Sequence, residues 1–353
     1  MAEVAGNGGR LIYFERWAHP SALDLLADRP QIDVTRLAFD DGEEHVSGRL
    51  AEAHVYQIWS TRDELPLPYH CTPAFLDRCP DLLAVSAWGA GYDTVDVDAC
   101  TERGVIVVNQ SGGNKEAVAE HALAMMVSLF KHIEEASRNL RAGWTGPRET
   151  YMGRDLFEKT LGIVGLGNIG TRMAEIARVA FHMRVLAYDP YVDADTCAAR
   201  GTEKVDLRTL LSESDVVTVH CPLTADSRDM INAAAYQTMK PGALFINTAR
   251  GGIHDEAALY DALASGHLAG AGLDVWSVEP PPADHPLLSL DNVIASPHTA
   301  GVTDDARRRV VAISIDQIVD ILEGRRPPRL INPDAWSSYS QRFETIFGKS
   351  LVD

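Results

Sequence analysis

Three glycines in the middle of the chain, Gly165, Gly167 and Gly170, have the spacing of a dinucleotide-binding turn. Residues 159–164 predict a strand that leads into the turn, and apolar residues at helical spacing follow it. In such a turn the first glycine permits a tight bend, the second lets a pyrophosphate approach the backbone, and the third lets helix and strand pack closely. The amino terminus of the helix then offers free N–H groups to phosphates. The sequence predicts a dinucleotide site here, and a glycine-rich turn without a ligand is the alternative.

An acidic residue, Asp189, follows Gly170 by nineteen positions, at the end of the next apolar run. A carboxylate there accepts hydrogen bonds from both hydroxyls of an adenine ribose, and its charge repels a 2′-phosphate. Pro190 and Tyr191 come next, and this stretch has no arginine to hold that phosphate. The pattern therefore favours NAD over NADP.

Three later segments, 245–252, 270–280 and 293–301, each place a charged or polar residue just after an apolar run. The residues are Arg250, Glu279 and His298. In open parallel sheets, ligands bind beyond the carboxyl ends of the strands. We therefore expect these three side chains to belong to a functional site.

The order of the motifs resembles the D-isomer-specific 2-hydroxyacid dehydrogenase family, which includes the D-3-phosphoglycerate dehydrogenases. The resemblance spans residues 82–326. Its motifs lie at residues 89–93, 109–114, 117–121, 165–170, 220–223, 247–251, 272–275 with 279–280, and 297–298.

The resemblance implies a role for each of the three residues. Arg250 matches the arginine that pairs with the substrate α-carboxylate and polarises the adjacent keto oxygen. His298 matches the acid/base that exchanges a proton with the hydroxyl, work that suits a group with a pKa near neutrality. Glu279 matches the carboxylate that orients this histidine and stabilises its protonated form. The implied reaction is the NAD-dependent interconversion of an (R)-2-hydroxy acid and its 2-keto acid.

Other positions match the family's binding residues. Asp274 matches a contact to the nicotinamide carboxamide, with a buried structural aspartate as the alternative. The full set of expected cofactor contacts is Gly165, Gly167, Asn168, Ile169, Gly170, Asp189, Cys221, Pro222, Ser227, Thr248, Arg250, Asp274, His298, Ala300 and Gly301. The expected substrate contacts are Ser60, Arg62, Ala90, Gly91, Asn109, Arg250 and His298.

Two tryptophans, Trp59 and Trp88, stand near positions where the phosphoglycerate members of the family carry arginine. Arg62 is close to one of those positions but does not match it. The pattern disfavours a phosphate-bearing substrate and suggests a more apolar or bulkier side group. His254 stands where the family usually has an apolar residue, and we expect it to face solvent.

Apolar runs alternate with helix-like stretches in two series, which is typical of parallel sheets covered on both faces. The prediction is an α/β protein with two Rossmann-like doubly wound parallel-sheet domains. The nucleotide-binding domain, residues 113–303, is inserted into a discontinuous substrate-binding domain formed by residues 1–112 and 304–353. One long helix is predicted over residues 114–143, and a second runs from about Thr303, a suitable N-cap, to about Glu323. The apolar residues of the first helix are either core or the interface of a homodimer, which we favour.

Composition narrows the class of protein. The chain has 353 residues with a formal net charge of −18, which argues against binding nucleic acid or anionic lipid. No apolar run is long enough for a membrane helix, and the amino terminus lacks the pattern of a secretory signal. The five cysteines are widely spaced, form no zinc-like cluster, and are typical of a reducing compartment such as the cytoplasm. No metal is expected. A non-catalytic NAD(H)-binding regulator and a formate- or phosphite-type dehydrogenase remain alternative functions.

Overall fold

The computed structural model describes residues 8–352. The prediction about a secretory signal falls partly on residues 1–7, which lie outside this range. The chain divides into two compact units. Unit 1 contains the described residues up to Asn114 together with the segment from Thr303 onward, and unit 2 contains Lys115–Val302.

The strands of both units are short and mostly buried, as near-continuous apolar runs predict. They are β1 (Gly9–Phe14), β2 (Ile32–Leu37), β3 (Val55–Ile58), β4 (Ala84–Ala87), β5 (Ile106–Asn109), β6 (Thr160–Val164), β7 (Arg184–Tyr188), β8 (Glu203–Lys204), β9 (Val216–Val219), β10 (Leu244–Asn247), β11 (Gly270–Leu273) and β12 (Val293–Ala295). The two-residue β8 is the strand that the sequence did not indicate.

The helices alternate with these strands along the chain. They are α1 (Ser21–Ala27), α2 (Glu43–Ala51), α3 (Pro73–Leu76), α4 (Val97–Glu102), α5 (Lys115–Phe130), α6 (Ile133–Arg141), α7 (Asn168–Phe181), α8 (Ala194–Ala199), α9 (Leu207–Glu213), α10 (Ala233–Thr238), α11 (Glu256–Ala264), α12 (Asp304–Glu323) and α13 (Trp336–Phe347). Within residues 8–352, no helix combines the length and the apolar character that crossing a membrane requires.

Unit 1 is a five-stranded parallel sheet in the order β2-β1-β3-β4-β5. Side chains of α12 and α13 pack on one face of the sheet, and side chains of α2 and α3 pack on the other. The strands β4 and β5 pair so that Ala87 lies opposite Asn109. The loop after β4 and the end of β5 are therefore neighbours at the carboxyl edge of the sheet.

The α12 helix follows the rules for helix ends. The side chain of Thr303 accepts a hydrogen bond from the backbone N–H of Ala306, and the helix ends at Gly324, which has a φ of +80°. Only glycine adopts that left-handed conformation without a steric penalty. The predicted bounds of this helix are confirmed.

Unit 2 is a seven-stranded parallel sheet in the order β12-β11-β10-β9-β6-β7-β8. The chain builds outward from β6 in one direction through β7 and β8 and then crosses to β9 on the other side of β6, so the strand order reverses beside β6. Ligands bind at such reversal points in doubly wound sheets. Asn247, Leu273 and Ala295 are paired in register at the ends of β10, β11 and β12, so the loops after these three strands lie side by side. The predicted fold class, two doubly wound parallel sheets, is confirmed.

The prediction of one helix over residues 114–143 is wrong. The chain forms α5 and α6, separated by His132 in a left-handed conformation with a φ of +51°. The carbonyl of Phe130 accepts a hydrogen bond from the backbone N–H of Arg154 at 2.7 Å, outside the helix. The chain also leaves the core at this point: Phe130 is buried, whereas α6 has no buried residue. The break contains neither glycine nor proline, so the sequence carries no local signal for it.

The apolar residues of α5 belong mainly to the core of unit 2. Ala122, Met125, Met126 and Phe130 are buried, and Leu129 packs against them. Exposed apolar side chains occur instead in the segment that follows this helix. They are Ile133, Leu140, Met152 and Phe157, each more than half exposed.

Candidate active site

The glycine turn after β6 has the geometry that its sequence predicts. Gly165 has a φ of +93°, and a Cβ atom there would lie 2.6 Å from the backbone nitrogen of Cys221. A Cβ atom on Gly170 would lie 2.2 Å from the carbonyl oxygen of Gly165. By contrast, a Cβ atom on Gly167 would meet nothing within 4 Å. Two glycines are thus required by close backbone packing, and the middle one borders open space that a phosphate group can enter.

Asp189 lies beside this turn. One carboxylate oxygen accepts a hydrogen bond from the backbone N–H of Leu166 at 2.9 Å, and the other accepts one from Tyr191 at 2.9 Å. Each carboxylate oxygen has a second lone pair for a further hydrogen bond. The fourteen-residue α7 begins at Asn168, so the N–H groups of its first turn lie at the same end of the turn. Ile169 is on its first turn. These residues fit a dinucleotide.

Other expected cofactor contacts surround the ends of β9 and β10. Ser227 is buried, and its hydroxyl donates to the carbonyl of Pro222 at 2.7 Å. Burial raises the pKa of the Cys221 thiol to about 11, so this cysteine is unsuited to act as a nucleophile. The hydroxyl of Thr248 is buried with no hydrogen-bond partner in residues 8–352. A buried polar atom without a protein partner is what a bound ligand would satisfy.

His298 and Glu279 form a direct pair. The Nδ1 atom of His298 lies 2.8 Å from Oε2 of Glu279, and Oε1 of Glu279 accepts a hydrogen bond from the backbone N–H of Trp276 at 3.0 Å. Within residues 8–352, the Nε2 atom of His298 has no hydrogen-bond partner. Its side chain is 28% exposed. The carboxylate therefore fixes one ring nitrogen and leaves the other for proton exchange.

The electrostatics of the pair favour a charged histidine. Burial alone lowers the pKa of His298, but the hydrogen bond and the charge of Glu279 outweigh it, so the pKa lies above the usual value for histidine. Burial likewise raises the pKa of Glu279, and the hydrogen bond to His298 and its positive charge lower it by more. The charge of nearby Arg250 lowers both pKa values.

Asp274 holds the turn that carries His298. It is fully buried, and its oxygens accept hydrogen bonds from the backbone N–H groups of Thr299 and Ala300 at 2.8 and 2.9 Å and from the hydroxyl of Ser296 at 2.6 Å. The backbone N–H of His298 donates to the Asp274 carbonyl at 2.7 Å. His298 has a φ of +54°, a conformation that non-glycine residues seldom adopt. These bonds keep it there.

The loop of Arg250 is held by Asn247. The Asn247 side chain donates to the carbonyl of Arg250 at 2.8 Å and accepts from the N–H of Ala249 at 2.9 Å. A Cβ atom on Gly251 would lie 2.0 Å from the backbone of Trp276, so this loop packs directly on the segment leading to Glu279. The structure thus brings Arg250, Glu279 and His298 to one edge of unit 2.

Sequence reasoning missed the supporting roles of Asn247, Ser296 and His121. The Nε2 atom of His121 lies 3.0 Å from the Ser296 hydroxyl, which in turn bonds Asp274. Asn247 and Ser296 each lie at or just past the end of a strand, beside a residue that was singled out. Polar side chains at several adjacent strand ends are the signal that could have found them.

The expectation that His254 faces solvent is wrong. Its ring is 1% exposed and packs against Phe245, and its Nδ1 atom lies 3.0 Å from the side-chain nitrogen of Asn247. Burial lowers the pKa of His254 to about 4, which keeps the ring neutral. The turn that follows Arg250 folds into the core at this point, because Gly251 permits close approach of the backbone.

The expected substrate residues of unit 1 lie at the carboxyl ends of β3, β4 and β5. The side chain of Asn109 donates to the carbonyl of Ala90 at 2.8 Å, which ties the Ala90–Gly91 loop to β5. Arg62 is exposed, and its Nε donates to the carbonyl of Asp93 at 3.0 Å. Ser60 directly follows Trp59. In residues 8–352, no three histidine, cysteine, aspartate or glutamate side chains group as metal ligands would.

Known proteins match this chain in sequence and in structure. Residues 123–300 match the family described as D-isomer specific 2-hydroxyacid dehydrogenase, NAD binding domain. The chain is 43% identical over 250 residues to a D-3-phosphoglycerate dehydrogenase of Archaeoglobus fulgidus, covering 70% of this chain and 47% of that protein. It is 43% identical over 245 residues to an (S)-sulfolactate dehydrogenase of Chromohalobacter salexigens, covering 69% of this chain and 78% of that protein.

A solved structure, the apo form of D-mandelate dehydrogenase from Rhodotorula graminis, is similar over 92% of this chain and 97% of its own. The TM-score is 0.80 at 28% sequence identity. The chain spans about half the length of the D-3-phosphoglycerate dehydrogenases that it matches, 47% to 59% in three of them.

Proposed function

Because the chain belongs to the D-isomer-specific 2-hydroxyacid dehydrogenase family, we propose that it interconverts an (R)-2-hydroxy acid and its 2-keto acid. The observation that carries the proposal is the 2.8 Å contact between His298 and Glu279 on the same sheet edge as Arg250. The relatives named above act, by their names, on phosphoglycerate, sulfolactate and mandelate. These compounds share a hydroxyl beside a carboxylate.

In this proposal His298 moves the proton. When the hydroxy acid is oxidised, the neutral Nε2 atom takes the hydroxyl proton; when the keto acid is reduced, the protonated ring returns it. Glu279 keeps Nδ1 protonated and directs the ring, so that Nε2 is the atom that exchanges. Microscopic reversibility then requires the same two groups in both directions.

Arg250 supplies the carboxylate contact. Its planar guanidinium forms two parallel hydrogen bonds with a carboxylate, a geometry that lysine cannot reproduce. The same charge draws electron density from the neighbouring keto carbonyl. On unit 1 we assign the substrate contacts to the backbone of Ala90 and Gly91 and to the side chains of Ser60, Arg62 and Asn109.

NAD, when bound, supplies the donor or acceptor of hydride. Gly165, Gly167 and Gly170 with the first residues of α7 would hold its pyrophosphate, and Asp189 would hold a ribose. The other expected contacts, Cys221, Pro222, Ser227, Thr248, Asp274, Ala300 and Gly301, stay proposals. The buried hydroxyl of Thr248 without a protein partner supports its assignment. Asp274 already makes internal hydrogen bonds through both oxygens, so its chief role is to hold the His298 turn.

The cofactor preference depends on Asp189. For Asp189→Ala we expect the KM for NAD to rise by about ten- to a hundredfold, the usual effect of losing hydrogen bonds to a charged group. The preference for NAD over NADP should fall, because the repulsion of a 2′-phosphate is removed. Steady-state kinetics with both cofactors measure this. Asp195→Ala removes an exposed carboxylate from α8 and is the matched control. An unchanged KM for NAD in Asp189→Ala would exclude the ribose contact.

Glu279 is expected to set the pH dependence of keto acid reduction through its effect on His298. Because the carboxylate of Glu279 raises the pKa of His298, that pKa should be lower in the Glu279→Gln variant. Keto acid reduction needs the protonated ring, so its rate is full below the pKa and is lost as the pH rises through it. The descending limb of kcat/KM should therefore move to lower pH in Glu279→Gln. A limb that stays in place would show that Glu279 does not stabilise the charged histidine.

A substrate screen tests the proposed function as a whole. NADH oxidation is followed spectrophotometrically with glyoxylate, pyruvate, hydroxypyruvate, phenylpyruvate and larger 2-keto acids. We expect turnover of at least one of them. NADH binding without turnover of any keto acid would contradict the proposal and favour the non-catalytic regulator.

We also propose a homodimer in which the segment from α5 through residue 157 forms the interface. Four of its large apolar side chains, Ile133, Leu140, Met152 and Phe157, are more than half exposed, and exposed apolar groups close in sequence favour burial against a second copy. A stable monomer in sedimentation at micromolar concentration would exclude this. We assign the protein to the cytoplasm, because all five cysteines are free thiols.

A further inference from the structure

Arg16 lies two residues past β1, at the carboxyl edge of the sheet of unit 1. Glu15, between the strand and Arg16, has a φ of +58°, and the backbone N–H of Arg16 donates to the carbonyl of Phe14 at 2.8 Å. Oε1 of Glu15 accepts a hydrogen bond from the N–H of Phe39 at 2.7 Å, and Oε2 pairs with Arg36 at 3.2 Å. The turn is thus braced in a conformation that non-glycine residues seldom adopt.

The guanidinium of Arg16 lies over an aromatic pair. Its carbon is 4.9 Å from the centre of the Trp59 ring, and the centres of the Trp59 and Trp88 rings are 4.4 Å apart. The indole N–H of Trp59 donates to the carbonyl of Phe14 at 3.2 Å, which fixes the ring. Trp88 directly precedes the loop of Gly89, Ala90 and Gly91. Arg16 is therefore held beside the part of unit 1 that is assigned to substrate.

This arginine has no anionic partner. It is exposed, and residues 8–352 provide it with no ion pair and no side-chain hydrogen bond. Other arginines of the unit do have carboxylate partners, for example Arg36, Arg78 and Arg103. In a chain with a net charge of −18, a braced cation without a carboxylate at a ligand-binding edge is available to an anion from outside.

The sequence suggested that Trp59 and Trp88 favour an apolar or bulky substrate group, and the structure supports a different interpretation. Only 6% of Trp59 is exposed, because Arg16, Trp88 and the core cover its ring. Trp59 therefore offers little open apolar surface to a substrate. The accessible group above it is the guanidinium, and stacking on an indole restricts that group before any ligand arrives.

We propose that Arg16 binds a second anionic group of the substrate, so that the preferred keto acids carry another negatively charged group besides the α-carboxylate. This inference rests on the proposed dehydrogenase function. A carboxylate, a sulfonate and a phosphate share the required chemistry, since each presents at least two oxygens to the planar fork of an arginine.

Matched pairs of keto acids test the proposal. Pyruvate is compared with oxaloacetate and sulfopyruvate, and hydroxypyruvate with phosphohydroxypyruvate, in the wild-type protein, Arg16→Ala and Arg16→Lys. We expect the wild type to have a higher kcat/KM for the member with the second anionic group in at least one pair. Arg16→Ala should lower that value by about ten- to a hundredfold, the loss typical of charge-assisted hydrogen bonds, with less than about a threefold change for the monoanionic partner. The pair with the largest loss identifies the anionic group. For the substrate that carries it, the kcat/KM of Arg16→Lys should lie between that of the wild type and that of Arg16→Ala.

Arg49→Ala is the control, because it removes the same charge from an exposed position on α2. Thermal unfolding of each variant checks that the fold is retained. Equal kcat/KM values within every pair in the wild type, or an equal loss for both members in Arg16→Ala, would overturn the role of Arg16 and leave the proposed function standing. Absence of turnover with every keto acid would contradict both.

Discussion

The variant His298→Gln is expected to lose turnover in both directions. Glutamine has a similar size and still forms a hydrogen bond with Glu279, but it cannot exchange a proton near neutral pH. General acid–base catalysis contributes about 10²- to 10⁴-fold to rate, so kcat should fall by roughly that factor. The dissociation constant for NADH should change by less than about threefold, since the contacts to the turn at Gly165 are not altered. Stopped-flow kinetics and fluorescence titration with NADH measure the two quantities.

His132 offers an unusually close control for this variant. It too has a left-handed backbone, with a φ of +51° against +54° for His298, and its Nδ1 atom lies 3.2 Å from a glutamate, Glu135. His132→Gln therefore repeats the chemical change and the backbone strain at the break between α5 and α6. Activity that falls equally in both variants would indicate a general effect on the fold. Near-normal activity in His298→Gln alone would remove this residue from the mechanism.

The features that the sequence predicted depend on local rules. The glycine turn needs only backbone conformation and close approach within a few residues, so Gly165, Gly167 and Gly170 indicate it directly. The ends of α12 follow from one N-cap residue, Thr303, and one glycine, Gly324. Chain order and apolar runs were enough for the two parallel sheets.

Two features that the sequence did not predict involve neighbours distant in the chain. At the break after α5 the N–H of Arg154 donates to the carbonyl of Phe130, twenty-four positions earlier. The network of Asp274 depends on the register between β11 and β12. The burial of His254 involves nearer neighbours, Phe245 and Asn247 at the end of β10, but it too follows from packing rather than from the residue type.

Replacing Arg250 should have the second large effect. In the proposed substrate complex, removing the guanidinium deletes the bidentate ion pair with the α-carboxylate, and with it the positioning and polarisation of the keto carbon. We expect Arg250→Ala to raise the KM for keto acid, to lower kcat, and to reduce kcat/KM by roughly 10²- to 10³-fold, as for truncation of one partner of a close ion pair. Arg250→Lys should recover only part of the loss, because lysine keeps the charge but not the fork.

A pH profile separates this role from a merely structural one. The charge of Arg250 lowers the pKa of His298, so Arg250→Ala should raise that pKa and move the descending limb of keto acid reduction to higher pH, opposite to Glu279→Gln. Arg208→Ala, which removes an exposed cation from α9, should leave both the limb and the KM unchanged. A low rate in Arg250→Ala without a shift of the limb would mean that the arginine does not act on His298. An unchanged KM for keto acid would mean that it does not bind the carboxylate, since no other change in the variant could compensate for an ion pair lost in the substrate complex.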